Sequence, residues 1–358
     1  MDHPLSRLFA VRETLKRRRL EGFLVTDMTN VRYLSGFTGS SGFLFITKDK
    51  NFFVSDFRYK KQAEQEVCGW DIVIEKGNRM EVIENLAKKT AIKVLGFESS
   101  VSYMFYRKLS KAGPVLNDTE GLVEKIREIK DAREIKAVAE AVRRAEQAFL
   151  EVKPYLKKGA EERAIALRLE DRLKKNGCRS IPFDIIVASG SNSAMPHAKT
   201  TGKKFQEGDL VTIDWGGEAD GYFSDMTRTF LLKGGRNAGK KKGIYQIVLE
   251  ANKRSISSVA PGVLSKKIDS AARNYIKNAG YNEYFGHGTG HGTGLQVHEA
   301  PRITWTKSVI LRENMIFTIE PGIYIPELGG VRIEDMVAVK PRGCKVLTSL
   351  PKKLEIIY

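Results

Sequence analysis

Apolar and polar positions alternate along this chain in two distinct rhythms. Leu5, Leu8, Phe9, Arg12, Leu15 and Arg19 have the spacing of an amphipathic helix over residues 5–20, which Gly22 ends. Phe23-Leu24-Val25-Thr26 then reads as a strand. Tyr33 to Thr47 is uncharged and rich in Gly, Ser and Phe. Its second half, Gly42–Thr47, is expected to pair with Asn51–Ser55 as a hairpin across Lys48-Asp49-Lys50. Three alternations follow: a helix near 58–67 before the strand 70–74, a helix near 80–89 before 93–97, and a helix near 102–111 before 114–116. Such an order predicts an α/β domain with a small mixed sheet. No metal-ligand or phosphate-loop spacing occurs in it.

The pattern changes at about residues 121–131. Asp131 with Glu134 three residues on resembles a capping box, and the long helix behind it carries Ile135, Val138, Val142, Ala145 and Phe149 on one face. A second helix, roughly 160–176, meets Gly177 where a left-handed cap is preferred. The chain is therefore divided into domains 1–122 and 123–358. Within the second, strands are expected at 185–188, 210–216 and 222–230, two helices over 237–280, and further strands at 314–320 and 331–335. Mixed helices and hairpins of this kind make an α+β domain.

Composition adds bounds. The 358 residues are 42% apolar and 29% charged, ordinary for a globular protein with two cores. The net charge of +17 invites a nucleic-acid partner, but the basic residues are scattered and their dense runs, Lys16-Arg17-Arg18-Arg19 and Lys240-Lys241-Lys242, are short. No specific nucleic-acid binding is expected. Cys68, Cys178 and Cys344 are far apart and form no CxxC pair, which suggests reduced thiols in a cytoplasmic protein. The first residues run into a charged helix without an apolar signal core, and no apolar segment is long enough to span a membrane. A cytoplasmic location without membrane attachment is the expectation.

Candidate chemistry gathers in the second domain. Three of the five histidines, His287, His291 and His298, lie within Gly286–Glu299, interleaved with glycines. That composition disfavours a helix and predicts a glycine-rich loop, with a short strand through Leu295 and Val297 holding His298. A fourth histidine, His197, ends the loop Ser189–His197 behind the strand 185–188, and alone it reads as a satisfied polar residue. Asp214 and Asp225 are centred on the turn Glu218–Gly221, so a hairpin would set them roughly opposite each other. Glu320 and Glu334 are likewise centred on the turn Pro326–Gly330. The phrases Thr212-Ile213-Asp214-Trp215-Gly216 and Thr318-Ile319-Glu320-Pro321-Gly322 match in type, suggesting two related half-domains. Four facing carboxylates repel unless a proton or cation lies between them. With a histidine they suit two divalent ions that activate water and polarise a carbonyl. A calcium site would leave the histidines unexplained, and a phosphodiesterase-type site would want a phosphate-directed loop that is not evident.

At these residues the sequence resembles the pita-bread metallopeptidases. Asp214, Asp225, His291, Glu320 and Glu334 match their five metal ligands in type, order and approximate spacing. Pro196-His197, His287–His291, His298-Glu299, Glu320-Pro321-Gly322 and Gly330–Asp335 look like the proline-peptidase branch, aminopeptidase P and prolidase. Asn30–Ser40 and Asp56-Phe57-Arg58-Tyr59 look like the creatinase-like N-terminal domain of short bacterial aminopeptidase P. The resemblance implies a creatinase-like α/β domain ahead of an α+β pita-bread catalytic domain with a pseudo-twofold repeat. By the same resemblance Asp214 chelates one metal, His291 and Glu320 bind the other, and Asp225 and Glu334 bridge them. Glu320 would also move a proton, His197 and His298 would serve catalysis at the substrate carbonyl, and His287 and Arg332 would stand on the substrate side. The implied activity is hydrolysis of the bond before proline at the N-terminus of peptides, in a homodimer. It would use two manganese ions, with cobalt, zinc or iron(II) as alternatives.

Neighbouring readings differ at specific features. A methionine aminopeptidase would lack this N-terminal domain and separate its last two acids more widely. A creatinase would have lost the ligands. A non-enzymatic relative binding ribosomes or histones would suit the charge but not the intact ligand set. In prolidases an arginine often follows the first loop histidine; here that place is Gly288, which leaves room for a longer peptide and leans towards aminopeptidase P.

Overall fold

The structure is a computed structural model that describes residues 3–358, and side chains from residue 6 onward. It divides into two compact units, Met1–Arg127 and Glu128–Tyr358.

The first unit is built on one six-stranded mixed sheet. Its strands are β1 (Gly22–Val25), β2 (Phe43–Thr47), β3 (Asn51–Asp56), β4 (Asp71–Glu75), β5 (Val94–Glu98) and β6 (Val115–Thr119), in the order β4-β3-β2-β1-β5-β6. The expected hairpin is present: Phe43 faces Val54 and Ile46 faces Asn51. The pairs β3/β4, β1/β5 and β5/β6 are parallel, so their connections need the intervening helices. β1 and β2 are buried along their whole length, and Leu24, Phe43, Phe45, Phe52, Val54 and Phe97 belong to one core.

Two details differ from the sequence reading. In the first helix, His3–Arg18, the buried positions are Leu8, Val11 and Leu15, while Phe9 is 65% exposed; the side chain of Leu5 lies outside the described ones. A helix at Met28–Ser35, given no element from the sequence, precedes the Gly/Ser stretch. Asp27 caps it by accepting from the Thr29 and Asn30 amides, and Gly36 stops it at φ 81°.

The second unit has two similar halves. The helices Ala132–Val152 and Glu162–Lys175 precede β7 (Ile186–Ser189), β8 (Leu210–Trp215), β9 (Glu218–Ala219), β10 (Tyr222–Phe223) and β11 (Met226–Leu232). The helices Ala238–Ser257 and Ser265–Asn278 precede β12 (Gly290–Gly292), β13 (Glu299–Ile303), β14 (Ile316–Ile319), β15 (Gly322–Ile325), β16 (Gly329–Arg332), β17 (Asp335–Val339) and β18 (Cys344–Val346). A last short strand, β19 (Ile356–Ile357), pairs with β11. One sheet runs β19-β11-β8-β7 and the other β13-β12-β14-β17-β18, with β15/β16 as a separate hairpin. Asp131 forms the expected capping box with Glu134. Behind the first sheet Phe149 stacks on Trp215 at 4.5 Å and on Phe230 at 5.7 Å, and the Trp215 indole donates to the Ala145 carbonyl at 3.0 Å. A large ring with a satisfied N–H fixes the back of the strand that carries Asp214.

The first acid-bearing hairpin has a register one step from the expected one. Ala219 faces Tyr222 and Thr227 faces Asp214, so the turn is centred between Asp220 and Gly221. Both turn residues have positive φ, 51° and 79°, the two-residue loop that suits the twist of paired strands. Asp225 is therefore diagonal to Asp214, on the same face because it lies two residues from Thr227. The second hairpin keeps its expected centre: Ile319 faces Asp335 and Gly322 faces Arg332, which sets Glu320 opposite Glu334.

Candidate metal centre

The glycine-rich stretch is not a free loop at its centre. Gly290-His291-Gly292 is β12, lying between β13 and β14. A Cβ at Gly290 would stand 1.9 Å from the Thr318 carbonyl oxygen, and one at Gly292 2.0 Å from that of Ala300. The glycines are required by neighbouring backbone, and they bring His291 into the sheet that carries Glu320. Leu295–His298 forms bends instead of the expected strand; the Gly294 amide donates to the Gln296 carbonyl at 3.0 Å, and pairing resumes only at Glu299.

The five sequence-predicted ligands converge on the floor of a cleft of about 1020 Å³. Ligand atoms of Asp214, Asp225 and Glu334 lie within 4.8 Å of one another, as do those of His291, Glu320 and Glu334. His298 joins Asp225 and His291 in a third such group. The His291 Nε2 is 3.5 Å from Asp225 and 3.6 Å from Glu320. Its Nδ1 lies 3.1 Å from the Gly292 carbonyl, an acceptor, so the proton sits on Nδ1 and the Nε2 lone pair points at two carboxylates.

Such an arrangement calls for protons or a cation between the acids. The buried Asp214 Oδ1 and Asp225 Oδ1 have no hydrogen-bond partner among the described residues. Burial, then the charges of Glu334 and Asp214, pushes the Asp225 carboxyl well above its ordinary value, and burial with Glu320 and Asp214 does the same to Glu334. Burial raises Glu320 to about 7 and lowers His291 to about 3, the latter with help from the neighbouring His298. Carboxylate oxygens and an unprotonated imidazole are the donors that divalent ions such as manganese, iron, cobalt or zinc accept. The residues present fit the metal site that the donor set implies.

Neighbouring side chains hold the acids. The Thr227 hydroxyl, opposite Asp214 in the ladder, donates to Glu334 at 2.7 Å. Arg332, 3% exposed, donates to Asp214 Oδ2 at 2.7 Å, to the Tyr324 hydroxyl at 3.0 Å and to the Pro196 carbonyl at 3.1 Å. Tyr324 thus has its own proton free for His287 Nε2 at 2.9 Å, while His287 Nδ1 donates to the Gly288 carbonyl at 2.8 Å. His197, His287, His298 and Arg332 all line the cleft. His197 and His298 are exposed there, whereas Arg332 is committed to holding Asp214. Burial lowers the His298 imidazole, with the Arg302 charge second.

Thr227, Tyr324 and Arg302 were not singled out from the sequence. Thr227 lies two residues from Asp225 on a strand, which puts it on the ligand face, so that spacing could have found it. Tyr324 and Arg302 carry no comparable signal; only the packing shows Arg302 at the cleft and Tyr324 behind His287 and Arg332.

Comparisons with known proteins find relatives over nearly the whole chain. Residues 136–341 match the family model described as Metallopeptidase family M24, and residues 7–129 that of the Creatinase/Prolidase N-terminal domain. The chain is 37% identical to an Xaa-Pro dipeptidase of Pyrococcus horikoshii over 99% of this chain and 100% of that one. Among solved structures it is similar to an Xaa-Pro dipeptidase from Bacillus anthracis, at 39% identity and TM-score 0.96 over 99% of this chain and 100% of that one. It is also similar to an X-Pro aminopeptidase from Thermotoga maritima MSB8, at 35% identity and TM-score 0.88 over 96% and 99%.

Proposed function

The chain belongs to metallopeptidase family M24, a peptide hydrolase with a creatinase/prolidase N-terminal domain and a pita-bread catalytic domain, and on that premise we propose that it cleaves the bond before a proline at the second position of peptides. The observation that carries the reading is the convergence of Asp214, Asp225, His291, Glu320 and Glu334 on the floor of a cleft that His197 and His298 also line.

Asp214, Asp225, His291, Glu320 and Glu334 would hold two divalent ions, which supply Lewis acidity to a peptide carbonyl and lower the pKa of water. The remaining steps belong to side chains. Glu320 takes a proton from the attacking water and passes it to the leaving amine. His197 and His298 stand at the cleft surface to hydrogen-bond the scissile carbonyl oxygen as negative charge develops on it. Arg332 fixes Asp214, and through Tyr324 it sets the ring of His287. The same reading takes manganese as the ion, a homodimer as the assembly and the cytoplasm as the compartment; three unpaired cysteines suit the last.

Substrate length divides two readings. Gly288 leaves room beyond the proline and suits release of one residue from a longer peptide, as in an aminopeptidase. Arg302 favours a dipeptide: it lines the cleft, and its charge acts on His291, His298 and Glu320. A fixed cation there would neutralise a free carboxylate. The test uses manganese-loaded protein, an Xaa-Pro dipeptide, the same sequence extended by several residues, and both with alanine for proline. Both proline substrates are expected to outperform their alanine counterparts. Turnover of the dipeptide alone establishes the dipeptidase, faster release from the longer peptide establishes the aminopeptidase, and indifference to proline overturns the proposal.

A further inference from the structure

Between β14/β17 and β15/β16 one rung of the second hairpin is incomplete: the Ile333 amide donates to the Pro321 carbonyl at 3.4 Å, but Pro321 has no N–H to return. Pairing holds at Ile319–Asp335 and again at Gly322–Arg332, and the two ligand acids sit in the gap. There the Glu320 amide turns away to the Thr289 carbonyl at 2.8 Å, and the Glu334 amide to the Thr227 carbonyl at 3.1 Å. The Ile333 carbonyl, one residue before Glu334, therefore has no strand amide opposite it. One side chain bridges the two strands there: Asn252 Nδ2 donates to Ile333 O at 3.3 Å and to Ile319 O at 3.0 Å.

Asn252 lies on the helix Ala238–Ser257 and is 0% exposed, an unusual place for an amide unless every polar atom is used. Its own oxygen accepts from Lys352 Nζ at 2.9 Å, and the same ammonium donates to Asp335 Oδ2 at 2.7 Å, the residue after Glu334. The amide's orientation is forced. Two carbonyls can only accept and an ammonium can only donate, so nitrogen faces the strands and oxygen faces Lys352. No aliphatic residue of this size can bridge two acceptors, and an aspartate would set a carboxylate against both.

We infer that Asn252 is a positioning residue for the metal centre: it supplies the hydrogen bond that Pro321 cannot donate, ties the two strands together and thereby fixes the spacing of Glu320 and Glu334. Neither its side chain nor that of Lys352 touches substrate or ligand atoms, and the effect passes through the backbone of the two strands. The inference rests on the reading of those acids as metal ligands, but not on the identity of the substrate.

The test is metal affinity, measured by titrating chelator-stripped protein with manganese or cobalt and following bound against free ion, for wild type, Asn252→Asp, Asn252→Leu and Ser255→Ala. Ser255 lies on the same helix, is buried, and donates to the Ile268 carbonyl at 2.9 Å, away from the acid-bearing strands. Both Asn252 variants are expected to bind the ion at least about tenfold more weakly, the range seen when partners behind metal ligands are removed. Ser255→Ala should lower the melting temperature without changing affinity. Turnover of the Asn252 variants should recover in part at saturating metal. Wild-type affinity in folded Asn252→Asp or Asn252→Leu would overturn the inference and leave the proposed activity standing. Affinity loss equal in Ser255→Ala would reduce Asn252 to a packing residue and overturn it as well. A wild type that takes up no divalent ion overturns the site and this inference together, whereas metal uptake without proline-directed cleavage overturns only the activity.

Discussion

Glu320 is the residue at which structure and chemistry meet most closely. Its oxygen lies 3.6 Å from His291, the Thr318 hydroxyl reaches it at 3.4 Å, and burial holds its carboxyl at about 7. Glu320→Gln keeps an oxygen donor and the side-chain shape but removes the proton carrier. Turnover on an Xaa-Pro peptide should fall by at least about a hundredfold while metal content, read by elemental analysis, falls much less. Near-normal turnover would confine Glu320 to a structural part.

At the scale of the element, β12 shows how a strand can be specified by the absence of side chains. Gly290 and Gly292 let neighbouring backbone approach so closely that His291 enters between β13 and β14. Gly290→Ala would place a methyl group 1.9 Å from the Thr318 carbonyl oxygen, on the strand that leads into Glu320. Backbone cannot yield that much, so β12 must shift away, at a cost of about 1–3 kcal/mol or more. The variant should melt earlier and bind metal more weakly than wild type. Unchanged melting with unchanged metal affinity would show that the strand tolerates the displacement.

At the scale of the whole molecule, the metal centre makes stability depend on pH and on the ion together. Without a cation the folded carboxyls of Asp225, Glu320 and Glu334 are raised, so they favour folding below their unfolded values and lose that contribution as pH rises. For Glu320 the window runs from the ordinary glutamate value to about 7, on the order of 3 kcal/mol when complete. The histidines act at the other side: His287 at about 4 and His291 at about 3 are depressed, so their neutral forms favour folding above 6.5 and that contribution is lost as pH falls. Between about 5 and 6.5 the two contributions oppose each other, so the metal-free protein is expected to melt at falling temperatures as pH climbs from about 6.5 upward, while the manganese-loaded protein changes much less. Melting curves with chelator and with manganese across that range would show a widening gap; a constant gap would contradict the account.

Much of this protein was legible in residue order. Helical spacing, the Asp131 cap, the β2/β3 hairpin and the α/β-then-α+β succession follow from local periodicity and turn chemistry. The four candidate acids stood out because residues of like chemistry recur about two turns, and the resemblance to the pita-bread metallopeptidases added His291. Tertiary structure decided what such spacing cannot carry. The positive φ of Asp220 and Gly221 moved the first hairpin by one step, setting Asp225 diagonal to Asp214. Contact with flanking backbone made a strand out of the glycine-rich segment. Asn252, Tyr324, Arg302 and the buried course of Arg332 belong to elements far from one another in the chain, and their parts depend on hydrogen bonds that only packing creates. Local sequence sets local conformation, whereas the partners of a buried polar atom are chosen by the fold as a whole.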